Sequence, residues 1–308
     1  RMAPFGEHYP KPVLPVCNKP LIQHHVEMMK SLGIENILVL IGHKGYQISK
    51  VLGDGQRLGV KIRYIEQTTQ LGIAHAVGCL EPHLETPFLL FLGDIFFVPG
   101  PIQAMFALFE EQGGGAVLAT KEEPDPRAIQ RNYALLMDGQ GFVRRVIEKP
   151  RHISNHLKGA GLYLFDLSIF DAIRRTPRTA MRDEYELTDS IQILIDDGYP
   201  VRPCNAILDD INLTTAADLL FCNLLQAKKL SPEERIGNGV RIHEGATLTD
   251  CVVGHGVTIS HPIAISESVI LDDTRVEGTA PIQRHILTPE GSVDCAQGLL
   301  ALQQRLGA

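Results

Sequence analysis

The sequence predicts an α/β fold, a mostly parallel sheet with helices on both faces, followed by a short parallel β-helix. Three observations carry that expectation. Helix-period and strand-period segments alternate from residue 20 to residue 208. The apolar runs at 37–41 and 88–92 have the length of buried strands. A six-residue period, neither helical nor strand-like, sets in at Ile236.

The elements follow in order. Residues 21–32 place apolar side chains at 21, 22, 26, 29 and 32, a helical stripe closed by Gly33. Residues 36–41 read as a strand, 46–52 as a short helix and 61–66 as a second strand. A helix over 73–80, a strand over 87–92 and a helix over 102–111 continue the alternation. Segment 114–166 is richer in strands (133–137, 142–147 and 161–165), read as antiparallel insertions that carry a second substrate. Residues 214–229 form a helix, with Asn212 or Thr214 as its N-cap. Aliphatic anchors then recur at 236, 242, 248, 253, 259, 265, 271, 276 and 282. At three hexads per triangular coil these make about three coils. The tail 295–306 reads as a helix that closes the stack.

Composition bounds the function. A chain of 308 residues with 44% apolar residues suits a large soluble domain plus a small one. No run of eighteen apolar residues predicts a membrane span. A net charge of −7 argues against a nucleic-acid surface, while leaving room for a local cationic site for a small anion. The six cysteines (17, 79, 204, 222, 251, 295) form no C-x-x-C pair and read as buried free thiols, pointing to a reducing, cytoplasmic setting. The first residue is Arg1 rather than methionine, so an upstream segment is expected.

Five constellations carry chemistry. Arg1 and Lys11 lie on a proline-stiffened stretch and could together reach a triphosphate, or be two solvated surface cations. Gln67 opens a polar turn that leads through Gly72 into a helix; Gln67 offers a donor and an acceptor to a base edge, and Gly72 allows close backbone approach. The plainer alternative is a helix start with a glycine turn, and His75 reads as a helix residue rather than a catalyst. Asp94 sits past the end of a buried strand, where α/β sheets bind ligands, and suits Mg²⁺ as well as a simple turn. Glu148 could hold sugar hydroxyls and Lys149 a phosphate, or the two could form an exposed ion pair. Asp209, Asp210 and Asn212 precede the helix at 214 and include a possible second metal ligand.

Together these residues, over about 220 positions, resemble the sugar-phosphate nucleotidylyltransferases, most closely the long-form glucose-1-phosphate thymidylyltransferases. The resemblance rests on Arg1, Lys11-Pro12 and Lys19-Pro20, on residues 71–76, and on Gly93-Asp94. It continues through Tyr133, Glu148-Lys149-Pro150, segment 159–165, Glu186 to Asp189, and Asp218 to Asn223. It implies a Rossmann-like mixed sheet of the nucleotide-diphospho-sugar transferase type over 1–230. It also implies that 231–308 is a left-handed β-helix with a C-terminal helix. The implied reaction is transfer of a nucleotidyl group from dTTP or UTP to a sugar 1-phosphate, with glucose 1-phosphate expected, and release of pyrophosphate.

In the implied site, Arg1, Lys11 and Lys149 are catalytic, and Gln67, Gly72 and Arg1 bind the nucleotide. Ala134, Glu148, Lys149 and Gly161 bind the sugar phosphate. Mg²⁺ is the implied cofactor, on Asp94 and on Asn212 or Asp210. Homo-oligomerisation through the β-helix is expected. The chain departs from the family pattern at Asp94-Ile95, where relatives often have Gly-Asp-Asn, and at Ala134, where Gly is usual. These departures leave open a catalytically silent binding paralogue; within the enzyme class the alternative is a uridylyltransferase acting on another hexose 1-phosphate.

Overall fold

The computed structural model describes residues 9–153, 155–180 and 183–306. Contacts divide the chain into two compact units. One comprises Arg1–His25 with Ile211–Ala308, the other Val26–Asp210.

The chain enters through the short antiparallel pair β1 (Pro15–Val16) and β2 (Lys19–Pro20), then α1 (Leu21–Ser31). Leu21, Ile22, His25 and Val26 are buried along α1, on the stripe expected from the apolar spacing. β3 (Asn36–Ile41), α2 (Gly45–Leu52) and β4 (Lys61–Glu66) form a βαβ unit in which β3 and β4 run parallel, Asn36 opposite Lys61. There follow α3 (Ile73–Gly78), β5 (Phe88–Phe91), β6 (Ile95–Pro99), α4 (Gln103–Gln112), β7 (Ala116–Glu122) and α5 (Pro126–Gln130). β8 (Tyr133–Met137), β9 (Val143–Glu148), β10 (Leu157–Phe165), α6 (Ser168–Arg175), α7 (Leu187–Asp196), β11 (Val201–Cys204) and β12 (Ile207–Asn212) complete this part.

The sheet is mixed. β11 runs parallel to β7, whereas β10 is antiparallel to β7, β5 and β8, and β8 is antiparallel to β9. β6 pairs with β12. The antiparallel insertions expected within 114–166 are therefore present, and they centre on β10. Because side chains alternate along a strand, β7 and β10 feed two separate cores. Ala116, Leu118, Tyr163 and Phe165 pack with Ile169, Phe170, Leu187, Ile191 and Leu194 of α6 and α7. Val117, Ala119, Leu162 and Leu164 pack with Met105 of α4 and with Ile95, Phe97 and Ile102. A strand covered on both faces reads as a continuous apolar run, which is why 161–165 shows no alternation.

In the other unit, α8 (Ala216–Ala227) is started by Thr215, not by Asn212 or Thr214. Thr215 accepts from the Asp218 backbone N–H while the Asp218 carboxylate accepts from the Thr215 backbone N–H, a reciprocal capping box. Beyond α8 lie ten short strands. β13 (Arg241–Ile242), β16 (Thr258–Ile259) and β19 (Arg275–Val276) form one parallel ladder. β14 (Thr247–Thr249), β17 (Ala264–Ser266) and β20 (Ile282–Gln283) form a second. β15 (Val252–Val253), β18 (Val269–Ile270) and β21 (His285–Thr288) form a third, ended by the antiparallel β22 (Gly291–Asp294). α9 (Ala296–Leu306) closes the chain where a tail helix was expected.

Successive rungs lie 17 residues apart. One expected anchor shifts accordingly: Ile270, fully buried and aligned with Val253 and Leu287, takes the interior place assigned to Leu271. Two corners of each turn recur with left-handed backbone. Gly239, Gly256 and Asp273 have φ of 72°, 67° and 57°, and Asp250, Glu267 and Arg284 have 51°, 46° and 60°. Glycine and aspartate tolerate that region best, so a one-residue shortening of the hexad is absorbed at the corners. The interior is aliphatic, with Val257, Ile259, Ile265, Val276 and Leu287 among its buried members. All six cysteines are free. Among the described residues no helix is long and apolar enough to cross a membrane.

Candidate functional site

Most of the expected substrate residues fall in Val26–Asp210, at strand ends around β4, β5, β8 and β9. Gln67 follows directly on β4, where its backbone N–H donates to Ile41 O at 2.8 Å. Its side-chain Nε2 donates to His75 Nδ1 at 2.9 Å, and the His75 ring stacks on Tyr185 with centroids 6.4 Å apart. His75 thus holds the Gln67 amide, in keeping with its reading as a helix residue. Gly72 has φ of 104°, and a Cβ there would lie 2.5 Å from Tyr185 O. The close approach that Gly72 allows is to the Tyr185 backbone, which pairs with Leu71 and Ala74 on either side.

Asp94 lies in the turn between β5 and β6, half-buried. Ile95, the departure beside it, begins β6 and is 3% exposed within the core. Its aliphatic side chain fills the space above Gly161, where a Cβ would lie 2.4 Å from Ile95 Cδ1. Gly161 itself is buried, and its carbonyl accepts from Leu92 N–H at 2.9 Å.

Tyr133 stands opposite Glu148, and Ala134 stands opposite both Ile147 and Lys158. The Tyr133 hydroxyl donates to Ala160 O at 3.2 Å, and its ring stacks on Tyr163 at 6.1 Å. Burial drives both phenols well above their ordinary pKa, and the negative charges of Asp210 and Glu148 add to the shift. Gly159 makes the packing possible, because a Cβ there would fall 1.9 Å from Tyr133 Cζ.

Glu148 ends β9, and Lys149 follows with φ of 43°, a region that non-glycine residues enter at a cost. The turn is fixed by Lys149 N–H donating to Asn132 O at 2.7 Å. The two side chains form an ion pair at 3.2 Å, with 42% of Lys149 and 26% of Glu148 exposed. Thr188 also donates to Glu148 Oε2 at 3.4 Å. The ion-pair reading is therefore realised, and it presents a carboxylate and an ammonium side by side at one strand end.

A charge cluster that no sequence motif announced lies inside this unit. Lys158 of β10 stands opposite Lys121 of β7, an unfavourable cation pair by itself. Three carboxylates offset it. Lys158 Nζ donates to Asp210 Oδ1 at 2.5 Å, Lys121 pairs with Asp209, and Glu123 Oε2 lies 3.2 Å from Lys121 Nζ. Burial draws the Lys121 ammonium down, but Asp209, Asp210 and Glu123 together hold it above its ordinary pKa. Lys158 and Asp210 are each 2% exposed. Removing one partner of such a pair costs about 3–5 kcal/mol. Asp210 thus engages Lys158 through Oδ1, while its Oδ2 is buried without a hydrogen bond among the described residues, and Asn212, two residues on, is half-buried.

The other unit holds Lys11, half-buried in a single 3₁₀ turn, Lys11–Val13. Asn223 of α8 anchors the chain just beyond that turn: its Oδ1 accepts from Cys17 N–H at 2.8 Å and its Nδ2 donates to Pro15 O at 3.0 Å. Asn223 belonged to the sequence resemblance, yet only the long-range bonds reveal what it holds. Burial pushes the Cys17 thiol up to about 12, so it is not a nucleophile at neutral pH. Arg1 lies outside the described residues.

Among the described residues no cluster of three or more His, Cys, Asp or Glu side chains could hold a metal alone. Mg²⁺ does not require one, since it takes one or two protein oxygens together with substrate phosphates. The oxygen donors of Asp94 and Asn212 match that chemistry.

The profile of the Nucleotidyl transferase family matches residues 1–208. The chain belongs to this family. It is 30% identical over 300 residues to a Streptomyces griseus glucose-1-phosphate thymidylyltransferase, covering 90% of this chain and 82% of that one. It is 38% identical over 203 residues to the low-salt glycan biosynthesis nucleotidyltransferase Agl11 of Haloferax volcanii, covering 65% of this chain and 56% of that relative's length. A solved structure of a candidate glucose-1-phosphate thymidylyltransferase from Bacillus anthracis, in complex with sucrose, superposes with a TM-score of 0.65. It is 25% identical, and the match covers 75% of this chain and 91% of that one. The mixed α/β architecture is thus that of the nucleotide-diphospho-sugar transferases.

Proposed function

We propose that this protein transfers a pyrimidine nucleotidyl group from dTTP or UTP to a sugar 1-phosphate, with glucose 1-phosphate the expected acceptor. A phosphate oxygen of the sugar 1-phosphate attacks the α-phosphorus, the bond to the β-phosphate oxygen breaks, and pyrophosphate departs with that oxygen. A phosphate monoester is already largely dianionic near neutral pH, so no side chain has to remove a proton. Catalysis is then positioning and charge neutralisation.

The observation that carries the reading is the left-handed turn at Lys149, which sets an ammonium and the Glu148 carboxylate beside the Tyr133–Ala134 strand end. Lys149 is assigned to the sugar phosphate, Glu148 to sugar hydroxyls, and Ala134 and Gly161 to the walls of that subsite. Gln67, held by His75, is assigned to the base edge, with Gly72 shaping the turn behind it. Lys11, with Arg1, is assigned to the triphosphate. Asp94 is assigned to Mg²⁺, as is Asn212 or Asp210, and the ion would supply charge neutralisation at the phosphates. Residues 1–230 are assigned as the catalytic domain.

The 17-residue register and the recurrent corners support reading 231–308 as a left-handed β-helix. Homo-oligomer contacts are assigned to this region.

The test is a pyrophosphate-release screen of dTTP, UTP, ATP and GTP against a panel of sugar 1-phosphates. Release with dTTP or UTP and glucose 1-phosphate is expected. Release with purine triphosphates alone would overturn the pyrimidine assignment, and no release with any pair would favour a silent binding paralogue.

A further inference from the structure

We propose that Gln192 is a positioning residue for the Glu148–Lys149 pair, because its side-chain amide locks the irregularity in β9 that decides which face Glu148 takes. This rests on the function proposed above and adds a residue outside the subsites assigned there. From Tyr133 opposite Glu148 to Leu136 opposite Arg145 the pairing of β8 with β9 runs in step, but Met137 then stands opposite Val143. Arg144 is therefore an extra residue, a β-bulge. Burial along β9 shows the same insertion: Val143 is buried, Arg144 and Arg145 are exposed, and Val146 is buried again. The extra residue puts Glu148 on the face of Val146, which packs with Leu187 and Ile191 of α7. Without it the residues beyond would exchange faces, and Glu148 would turn away from α7.

Gln192 holds the bulge by its backbone. Its Oε1 accepts from Val146 N–H at 3.0 Å, and its Nε2 donates to Arg144 O at 3.3 Å. Nε2 also donates to Asp196 Oδ1 at 2.9 Å, so swapping the amide oxygen and nitrogen would set N–H against N–H and oxygen against two oxygens. All three partners thus fix the orientation. β9 is the outer strand of its sheet among the described residues, and this one side chain supplies the two bonds that a residue of a parallel neighbour would make there. The Arg144 side chain is held separately, by Asp138 at 2.7 Å, which leaves the backbone of the bulge to Gln192. One turn earlier on α7, Thr188 donates to Glu148 Oε2 at 3.4 Å. Four residues of a helix advance about 6.0 Å and two of a strand about 6.8 Å, so the two contacts hold α7 and the end of β9 in step. Lys149 follows directly, so the same hold sets where its left-handed turn begins.

The experiment compares the full-length protein with two variants. Gln192→Met removes both backbone bonds, and Gln192→Glu/Asp196→Asn restores an acceptor for Val146 N–H without opposing two carboxylates. Thermal stability, hydrogen exchange along β8 and β9, and KM for glucose 1-phosphate and for dTTP in pyrophosphate release are measured. Gln192→Met is expected to lower Tm by about 5 °C at most, since the side chain is only half-buried. Amide exchange over 143–149 is expected to become about tenfold faster, with β3 and β4 unchanged. KM for glucose 1-phosphate is expected to rise about tenfold, while KM for dTTP stays within about twofold of the parent. The double variant is expected to return to within about threefold of the parent in exchange and in KM.

Parental exchange over 143–149 in Gln192→Met would show that the bulge holds itself and would overturn the proposal. Faster exchange with parental KM values, an equal rise in both KM values, or no recovery in the double variant would overturn it too, by leaving Gln192 a support of the fold alone. If the unaltered protein releases no pyrophosphate with any pair, the functional reading fails, but the exchange measurement still decides whether Gln192 holds the Glu148–Lys149 turn.

Discussion

The C-terminal strand stack and the β7–β10 region both bury side chains almost completely, yet they achieve it by opposite means. In the stack each interior aliphatic rests on its counterpart 17 residues away, so one local rule repeats. In the sheet, Lys121 reaches Asp209 across 88 positions and Lys158 reaches Asp210 across 52. Repetition makes burial robust and leaves each position nearly equivalent to its neighbours. Long-range pairing of charges ties each position to one particular partner, so that changing either partner alone strands the other. Position-critical work therefore falls to the sheet, and bulk stability suffices to explain the stack.

The largest effect that would sharpen this contrast is Asp94→Asn. The substitution keeps size and leaves the half-buried turn after β5 intact, so folding should be unchanged. Pyrophosphate release is expected to fall at least 100-fold, comparable with the loss of one charge-stabilising group in other transfer reactions. Turnover retained within a few-fold would remove Asp94 from the metal site.

Ile265→Ala is the counterpart in the stack. Ile265 is 1% exposed among aliphatic neighbours, and its truncation should cost about 2–5 kcal/mol. Below the unfolding transition, kcat should stay within twofold of the parent. A large loss of turnover in protein shown by circular dichroism to be folded would break the comparison, because the stack would then carry position-critical work too.

Gly159→Ala is smaller and tests the sheet from its packing side. The added Cβ must displace the Tyr133 ring, which lies 1.9 Å from where it would sit, costing about 1–3 kcal/mol. Because Tyr133 precedes Ala134, KM for the sugar phosphate should rise several-fold while that for the triphosphate holds. Equal changes in both constants would mean that the tyrosine pair supports the fold alone.

How much of this was legible in the sequence follows the same division. The helical stripe of α1, the strands β3 and β4 and the stack were all readable, because each depends on neighbours within a turn or a coil. Local detail slipped: Ile270 rather than Leu271 faces inward, since the 17-residue turn shortens one hexad, and the first two expected anchors, Ile236 and Ile242, are exposed. The strand ends bearing Gln67, Asp94 and Glu148-Lys149 were readable as motifs. The lysine–aspartate cluster was not, since buried Lys121 and Lys158 look like surface residues until β7, β10 and β12 are brought together. The capping residue was misread, as Asn212 or Thr214, for a similar reason: Thr214 and Thr215 have equal chemistry and both N–H groups donate to the Asp218 carboxylate, so only the Asp218 N–H donating to Thr215 Oγ1 marks the cap. Ile95 was readable only as a departure from the family pattern beside Asp94, whereas its burial over Gly161 gives it a packing role that spacing alone does not show.

The smallest effect concerns Gln67→Ala, and it asks whether position-critical work extends to a side chain that is only half-buried. The Gln67 amide is held by one hydrogen bond to His75, whose ring rests on Tyr185. A single neutral hydrogen bond contributes about 0.5–1.5 kcal/mol, so the preference for dTTP or UTP over ATP should shrink by tenfold at most. The change should appear in kcat/KM for the pyrimidine substrates, with KM for the sugar phosphate unaffected. His75→Ala should produce part of the same effect, because the amide loses its hold while the base-reading group remains. An unchanged profile of all four triphosphates in Gln67→Ala would place base recognition elsewhere and reduce the Gln67–His75 contact to a brace between β4 and α3.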